Sequence, residues 1–409
     1  MEILHCDLNN FFASVEQVMN PSLNGKSVAV CGDPEKRSGI VLAKNTAAKN
    51  MGVKTGDAIW QARQKCPELV CVPPHYDWYG HYSERVRQIY CRYTDLVECF
   101  GMDECWLDIT HSGIFGTPMQ IAEEIRKTVK KETGLTVSVG VSFTKTFAKL
   151  GSDLKKPDAV TEISRKNYRK VVWCLPVEEM LFVGRQTQKT LNQMGIFTLG
   201  QLAEANDKVL MSKFGINGLK LKHAARGEDE DTVSSICDER QIKSIGHGTT
   251  TIRDMATYAE AEQTIFMLAD MVATRLRGKG FCASTVHLDI RHNDLTHTSK
   301  QCKIVPTFVA ANVYRAAVRL LHAMWCGNAS DPLRSLTVQV SDLTFSCGGV
   351  QTSIFDVNEE KQSRLQFCVD KIRKKFGYDA ITCANMLKCD FLSGKTFSVD
   401  ESTLPFKRG

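Results

Sequence analysis

The sequence predicts an α+β chain of several domains: a ferredoxin-like first unit, a helical middle and a second βαββαβ-like unit towards the C-terminus. Three observations predict it. Over roughly the first 165 residues, short apolar or alternating runs exchange with helical stripes, in an order that suits a sheet layered with helices. From Lys166 the pattern turns helical and short, with glycine-bearing turns. After an acidic, polar break at Gly227–Asp231 and Ser234-Ser235, which reads as a flexible tether, strands and helices alternate again.

Taken in order, Glu2 to Asp7 is a short apolar strand that runs straight into a helix over Asn9–Glu16. Lys26–Gly32 and Gly39–Ala43 are strand-like and joined by the polar turn Asp33–Ser38. A helix over Lys44–Met51 is stopped by Gly52, and a second spans Asp57–Lys65 before the strand Leu69–Val72 and the turn at Pro73-Pro74. Tyr76–Thr94 reads as a helix, Leu96–Phe100 and Cys105–Ile109 as a strand pair, Pro118–Glu132 as a helix and Val137–Ser142 as an alternating strand. In the later unit, Ile265, Leu268, Val272 and Leu276 form one helix stripe and Val309, Val313, Ala317, Leu320 and Met324 another. Val286, Leu288 and Ile290 oppose His287, Asp289 and Arg291 across one strand; Leu336, Val338 and Val340 oppose Ser335, Thr337 and Gln339 across another. Leu365, Val369, Ile372 and Phe376 stripe a last helix, with Asn358 placed to cap it, Arg373–Lys375 near its C-terminus and Gly377 to end it.

An apolar fraction of 43% and a charged fraction of 24% are those of an ordinary globular chain, which sets aside disorder and fibre classes. No run approaches the roughly eighteen apolar residues of a membrane span, and the apolar start is interrupted at once by Asp7, so a cytoplasmic protein with no membrane partner is expected. The 16 cysteines show no Cys-x-x-Cys pair and read as reduced thiols. A net charge of +6 permits a nucleic-acid partner without demanding one.

Chemistry concentrates at Gly101-Met102-Asp103-Glu104-Cys105-Trp106-Leu107-Asp108-Ile109. Two adjacent acids stand at the mouth of a strand with no base beside them in sequence, and a bend at Gly101 would let both reach one point. A divalent cation suits that charge. Magnesium takes one or two carboxylates plus phosphate oxygens, and Asp7, at another strand end, is the natural third acid. Three carboxylates at one sheet edge could hold two ions that align an attacking oxygen with a leaving phosphate. The same residues also fit two hairpin positions and a helix cap.

Leu4–Glu16 (LHCDLNNFFASVE), Gly101–Ile109 and Phe147–Pro157 (FAKLGSDLKKP) resemble, in kind and order, the three signature segments of Y-family translesion DNA polymerases, with the bacterial DNA polymerase IV branch the nearest. The resemblance runs to about residue 345, with a family-like tail behind it. It implies a right-hand polymerase: palm at 1–25 and 75–165, fingers at 26–74, a thumb with helix-hairpin-helix turns at 166–232, linker at 233–242, little finger at 243–345 and a tail at 346–409. The activity implied is template-directed, low-fidelity DNA synthesis for lesion bypass by two-metal phosphoryl transfer, without proofreading.

Residue by residue, Asp7, Asp103 and Glu104 would be catalytic and, with the Leu8 carbonyl, ligands of two Mg2+. Phe12 would be the steric gate against ribonucleotides, and Asn10, Phe11, Phe12 and Lys156 would bind the nucleotide. In the fingers the family carries a Tyr and an Arg for the triphosphate; Thr46 and Lys49 stand there instead, and a lysine cannot make the bidentate pair of an arginine. Gly184, Gly215 and Gly218 in the thumb turns, and Arg253, Arg291 and Lys300 in the little finger, would meet DNA phosphates. Gln351, Ile354 and Phe355 resemble the peptide that docks on the replication sliding clamp. Partners implied are primer-template DNA, deoxynucleoside triphosphates and that clamp, for a monomer. Two other classes fit parts of the pattern: a catalytically silent DNA- and clamp-binding accessory protein, and a nucleotide cyclase, which also uses paired acids on a ferredoxin-like palm. The three acids together oppose the first, and the DNA-gripping segments oppose the second.

Overall fold

The computed structural model describes residues 1–345 apart from 34–36, 38, 230, 237, 239 and 240, then 357–377 and isolated positions to 384. These fall into two compact units, the first built mainly from residues 1–32 and 40–239 and the second mainly from residue 240 onward.

The first unit opens with β1 (Ile3–Leu8) and α1 (Phe11–Met19). A small sheet follows, from β2 (Val28–Cys31) and β3 (Val41–Lys44) through α2 (Thr46–Asn50) and α3 (Ile59–Lys65) to β4 (Val70–Val72), in the order β3-β2-β4. The chain returns through α4 (Tyr76–Tyr90), β5 (Val97–Cys99), β6 (Glu104–Asp108), α5 (Pro118–Thr133), β7 (Val137–Ser142), α6 (Lys145–Leu154) and β8 (Val160–Ile163). The resulting sheet is ordered β5-β6-β1-β7-β8. Without β8 this is the ferredoxin-like arrangement, with the small sheet inserted between α1 and α4.

Every residue of β1 is buried, because both faces of the sheet are covered. Leu4, Cys6 and Leu8 join Val15, Tyr79, Ile125 and Val129 from α1, α4 and α5 on one side. On the other, Ile3 and Trp106 pack with Ala148 of α6 and with Val233. α6 comes unusually close: a Cβ on Gly140 of β7 would lie 1.9 Å from the Ala148 carbonyl oxygen, and Gly151 meets Gly140 from the helix side. Only glycine permits that approach.

A helical segment completes the unit with α7 (Tyr168–Val172), α8 (Arg185–Gln193), α9 (Leu199–Glu204), α10 (Asp207–Phe214) and α11 (Ile216–Arg226). The acidic stretch after it is no free tether up to Ser235. Asp229 accepts hydrogen bonds from the Thr146 amide and hydroxyl, the Ser234 amide donates to Glu98, and Val233 is buried. Its polar composition reflects docking on helix-end and edge groups rather than solvation.

The second unit is β9 (Ser244–Met255), α12 (Tyr258–Gly278), β10 (Phe281–His292), β11 (His297–Thr307), α13 (Ala310–His322) and β12 (Leu333–Phe345). The βαββαβ order is as read, but the strand order β11-β10-β12-β9 differs from that of the first sheet. Val286, Leu288, Ile290, Leu336, Val338 and Val340 pack under α12 and α13. The other face carries His287, Asp289, Arg291, Thr337 and Gln339, with Gly246 and Gly248 on the neighbouring strand. α14 (Val357–Phe376) docks on the helix side, where Asp370 pairs with Arg277 at 2.6 Å, Arg373 with Asp270 at 2.7 Å, and Phe367 with Phe308. Among the described residues, no helix is long and apolar enough to cross a membrane.

Candidate active site

Antiparallel pairing of β1 with β6 sets Asp7 directly opposite Glu104. The Leu8 amide donates to the Asp103 carbonyl at 3.0 Å, which stitches the two strand ends and holds Asp103 at the mouth of β6. The three acids therefore gather at one end of the sheet. Asp7 and Glu104 share the face that α6 covers, since His5 two residues earlier pairs with Gly140 and Trp106 across the same rows.

The expectation that nothing basic neutralises the acids is corrected by α6. Lys149 Nζ lies 3.0 Å from Asp7 Oδ2, 2.9 Å from Glu104 Oε2 and 3.5 Å from Asp153. Lys156 Nζ lies 2.8 Å from the same Asp7 oxygen and 2.7 Å from Asp153. Lys149 is missed by sequence reading because its proximity arises from helix-on-sheet packing, and Lys156 lies beyond the end of α6, so no helical spacing links the two.

These charges are unequally satisfied. Burial, then the charges of Asp7 and Glu104, push the Asp103 carboxyl up to about 7. Burial also pulls Glu104 upwards, but the His5 ring facing it and the Lys149 ammonium overcome this and hold it at about 2. Burial lowers His5, whose Nδ1 contacts Ser152 Oγ at 2.8 Å and whose Nε2 faces Glu104 at 3.5 Å.

Among the described residues, no three His, Cys, Asp or Glu side chains stand in a ready metal-ligating arrangement, and the Lys149 ammonium bridges Asp7 and Glu104. The donor set nonetheless fits a hard divalent cation. It consists of carboxylate oxygens; Glu104 Oε2 is buried with ion pairs but no aligned hydrogen bond; and Asp103 is repelled by its two neighbours.

The N-cap of α1 is Asn10, in the left-handed conformation (φ 51°) and making no side-chain cap bond, so the first amides of α1 lack intrahelical partners. Phe11 is buried and Phe12 half-buried, as neighbours on a helix should diverge. Phe12 stacks on Tyr79 with ring centroids 4.1 Å apart and planes 10° from parallel. The Tyr79 hydroxyl donates to buried Glu16, which His75 Nδ1 also contacts at 2.9 Å. No sequence signal marks this buttress. Asn10 Nδ2 donates to Thr46 Oγ1 at 3.1 Å, and Lys49 is exposed.

The remaining site residues separate. Gly184 is the exposed N-cap of α8, and Gly215 (φ 60°) is the hinge between α10 and α11. Gly218 is different: its amide donates to the Gly215 carbonyl, and a Cβ there would stand 2.8 Å from the Leu210 carbonyl oxygen. It serves a close helix crossing, not an open amide nest. Arg253 pairs with Glu260 at 2.5 Å. Arg291 lies on the face away from the helices, but Lys300 pairs in register with Leu288 and donates to the Ala323 carbonyl at the end of α13. That puts it on the helix side and corrects its grouping with Arg291. Gln351, Ile354 and Phe355 lie outside the described residues.

The profile of the impB/mucB/samB family matches residues 6–153, and that of its C-terminal domain residues 242–354. The DNA polymerase IV of Acetivibrio thermocellus is 44% identical over 383 residues, spanning 93% of this chain and 96% of that protein. DNA polymerase IV 2 of Bacillus subtilis is 37% identical over 390 residues, spanning 93% of each. Among solved structures, a Y-family DNA polymerase chimera of Dbh and Dpo4 aligns with TM-score 0.75 at 25% identity over 84% of this chain and 100% of its own, and DinB from Sulfolobus solfataricus with TM-score 0.54 at 25% identity over 83% and 98%. The acids at the sheet end, the two-unit α+β fold and these matches agree: the chain belongs to the impB/mucB/samB family, the metal-dependent Y-family translesion DNA polymerases, in the DNA polymerase IV branch.

Proposed function

We propose that Asp7, Asp103 and Glu104, with the Leu8 carbonyl, hold two Mg2+ ions for template-directed nucleotide addition to a primer 3′-hydroxyl. The pairing of Asp7 opposite Glu104, with Asp103 at the same strand mouth, carries this reading. Bound there, the ions would lower the pKa of the primer hydroxyl and offset the charge of the triphosphate. The chain's own residues do the positioning. Lys156, 30% exposed, can turn from Asp7 to a triphosphate, as a flexible ammonium does readily. The uncapped start of α1 offers amides to phosphate oxygens, and Asn10 ties that start to Thr46, beside Lys49. Phe12, held by its stack on Tyr79, would admit a deoxyribose and crowd a 2′-hydroxyl.

The domain boundaries proposed are palm at 1–25 and 75–165, fingers at 26–74, thumb at 166–232, little finger at 243–345 and tail at 346–409. Gly184 and Gly215 present thumb turns to primer-template DNA, and Arg253 and Arg291 add phosphate contacts from the little finger. Gln351, Ile354 and Phe355 would anchor a monomeric, cytoplasmic enzyme to the sliding clamp, and synthesis would be low in fidelity and without proofreading. Primer extension on a labelled hairpin with Mg2+ tests the reading. Wild type should extend the hairpin, and Asp7→Ala should lose extension while binding the hairpin about equally well. Loss of binding in step with extension would instead favour a DNA-binding accessory role.

A further inference from the structure

We infer that Lys149 is a resident counter-ion of the metal site: its ammonium bridges Asp7 and Glu104 in the metal-free chain and must move aside before a divalent cation can bind between them. This rests on the reading of the three acids as cation ligands. Three observations carry it. First, Nζ lies 3.0 Å from one carboxylate and 2.9 Å from the other, so it links the two strands at the point where a bridging cation would sit. Second, α6 cannot carry the lysine elsewhere, because Gly140 and Gly151 fix the helix against β7 at backbone contact distance. Third, Lys149 is only 12% exposed, against 30% for Lys156, whose partners are Asp7 and Asp153.

The bridge offsets charge that the strand pairing gathers at one sheet end. Without a cation, three carboxylates at one sheet end repel one another, and Glu104 Oε2 has no aligned hydrogen bond to relieve it. Lys149 supplies one positive charge between Asp7 and Glu104, less than the cations that would replace it. Asp153, 3.5 Å from Nζ and one helical turn beyond Lys149, offers the displaced ammonium a second partner on the solvent side. The side chain can thus give up Asp7 and Glu104 and still keep one carboxylate partner, Asp153, which it shares with Lys156. The apparent affinity for metal is then reduced by the fraction of molecules in which the ammonium already occupies the place.

The test is Mn2+ binding to the full-length, DNA-free protein, read by electron paramagnetic resonance of free Mn2+, for wild type, Lys149→Gln, Lys156→Gln and Asp7→Asn. If the ammonium holds its place about nine-tenths of the time, Lys149→Gln should half-saturate at about ten-fold lower Mn2+ than wild type. The metal-free variant should also melt at a lower temperature and recover on adding Mn2+. Lys156→Gln removes an equal charge near Asp7 but breaks no Asp7–Glu104 bridge, and its shift should be clearly smaller. Equal shifts for the two lysines, or weaker binding by Lys149→Gln, would overturn the inference. Unchanged binding by Asp7→Asn would instead overturn the reading of the acids as ligands. Should Lys149→Gln fail to fold, amine footprinting of wild type decides. Lys149 labelling should rise when Mg2+ is added, and no rise would refute the displacement.

Discussion

Truncating Phe12 to alanine should open the nucleotide site to ribonucleotides, at a modest cost in stability. The ring is half-buried and stacked on Tyr79 at 4.1 Å. A fully buried Phe→Ala costs about 3–5 kcal/mol, so a half-buried ring should cost about 2 kcal/mol, including about 1 for the lost stack. A 2′-hydroxyl pressed against that ring is desolvated and unpaired, a penalty of about 1–3 kcal/mol before steric overlap is counted. At about 1.4 kcal/mol per tenfold, Phe12→Ala should lower the preference for a deoxynucleotide over its ribonucleotide by at least about 5- to 150-fold. The assay is single-nucleotide insertion efficiency for matched deoxy- and ribonucleoside triphosphates, with a thermal melt of the same preparation. Phe11→Ala is the control, since Phe11 is 3% exposed and its loss should unfold the chain far more readily while leaving selectivity alone. A well-folded Phe12→Ala enzyme that excludes ribonucleotides as strongly as wild type would refute the reasoning.

Asp103 gives a pH dependence. The folded, metal-free chain keeps the Asp103 proton up to about pH 7, whereas an unfolded chain releases it near the ordinary carboxylate value of 3.8. Stability is therefore lost as pH rises from about 4 through 7, and Asp103→Asn avoids the loss, so in EDTA the variant should match wild type near about pH 4 and exceed it by about 1–3 kcal/mol near about pH 8. Equal pH dependence by differential melting would contradict this. Gly140→Ala, whose methyl would overlap the Ala148 carbonyl, should destabilise by about 3 kcal/mol or more and displace α6 with both lysines; a wild-type melt would show that the helix can retreat freely. Deleting Gln351–Phe355 should spare unaided synthesis and remove stimulation by the clamp, and undiminished co-elution with clamp would assign that contact elsewhere.

Local pattern was enough to read β7 and α5, because the regular valine spacing of β7 and the Thr117 capping box and Gly134 stop of α5 are written in adjacent residues, even though every residue of β7 proves to be buried. What depends on packing between distant elements was not legible. Lys149 reaches Asp7 across 142 residues only because two glycines let α6 lie on β7. The face of Lys300 could not be read because β11 is polar at most positions, so its alternation does not reveal which side the helices cover; the hairpin register with Leu288 decides that. The stretch after Gly227 looked like a tether because acids and serines suit solvent, yet the same groups accept and donate at the edge of the first sheet. Phe12 was singled out by the family resemblance, but Tyr79 and His75, which buttress it together with Glu16 of its own helix, come from α4 and its N-cap more than sixty residues away.

The central claim is that the end of β1 and the mouth of β6 form a two-cation site. Anomalous diffraction from crystals of the full chain with primer-template DNA, a non-hydrolysable deoxynucleotide and Mn2+ measures this directly. Two anomalous peaks bounded by Asp7, Asp103, Glu104 and the Leu8 carbonyl are expected, with Lys149 turned away from the Asp7–Glu104 pair. No peak at these carboxylates, or cations bound elsewhere with the lysine bridge intact, would contradict the account.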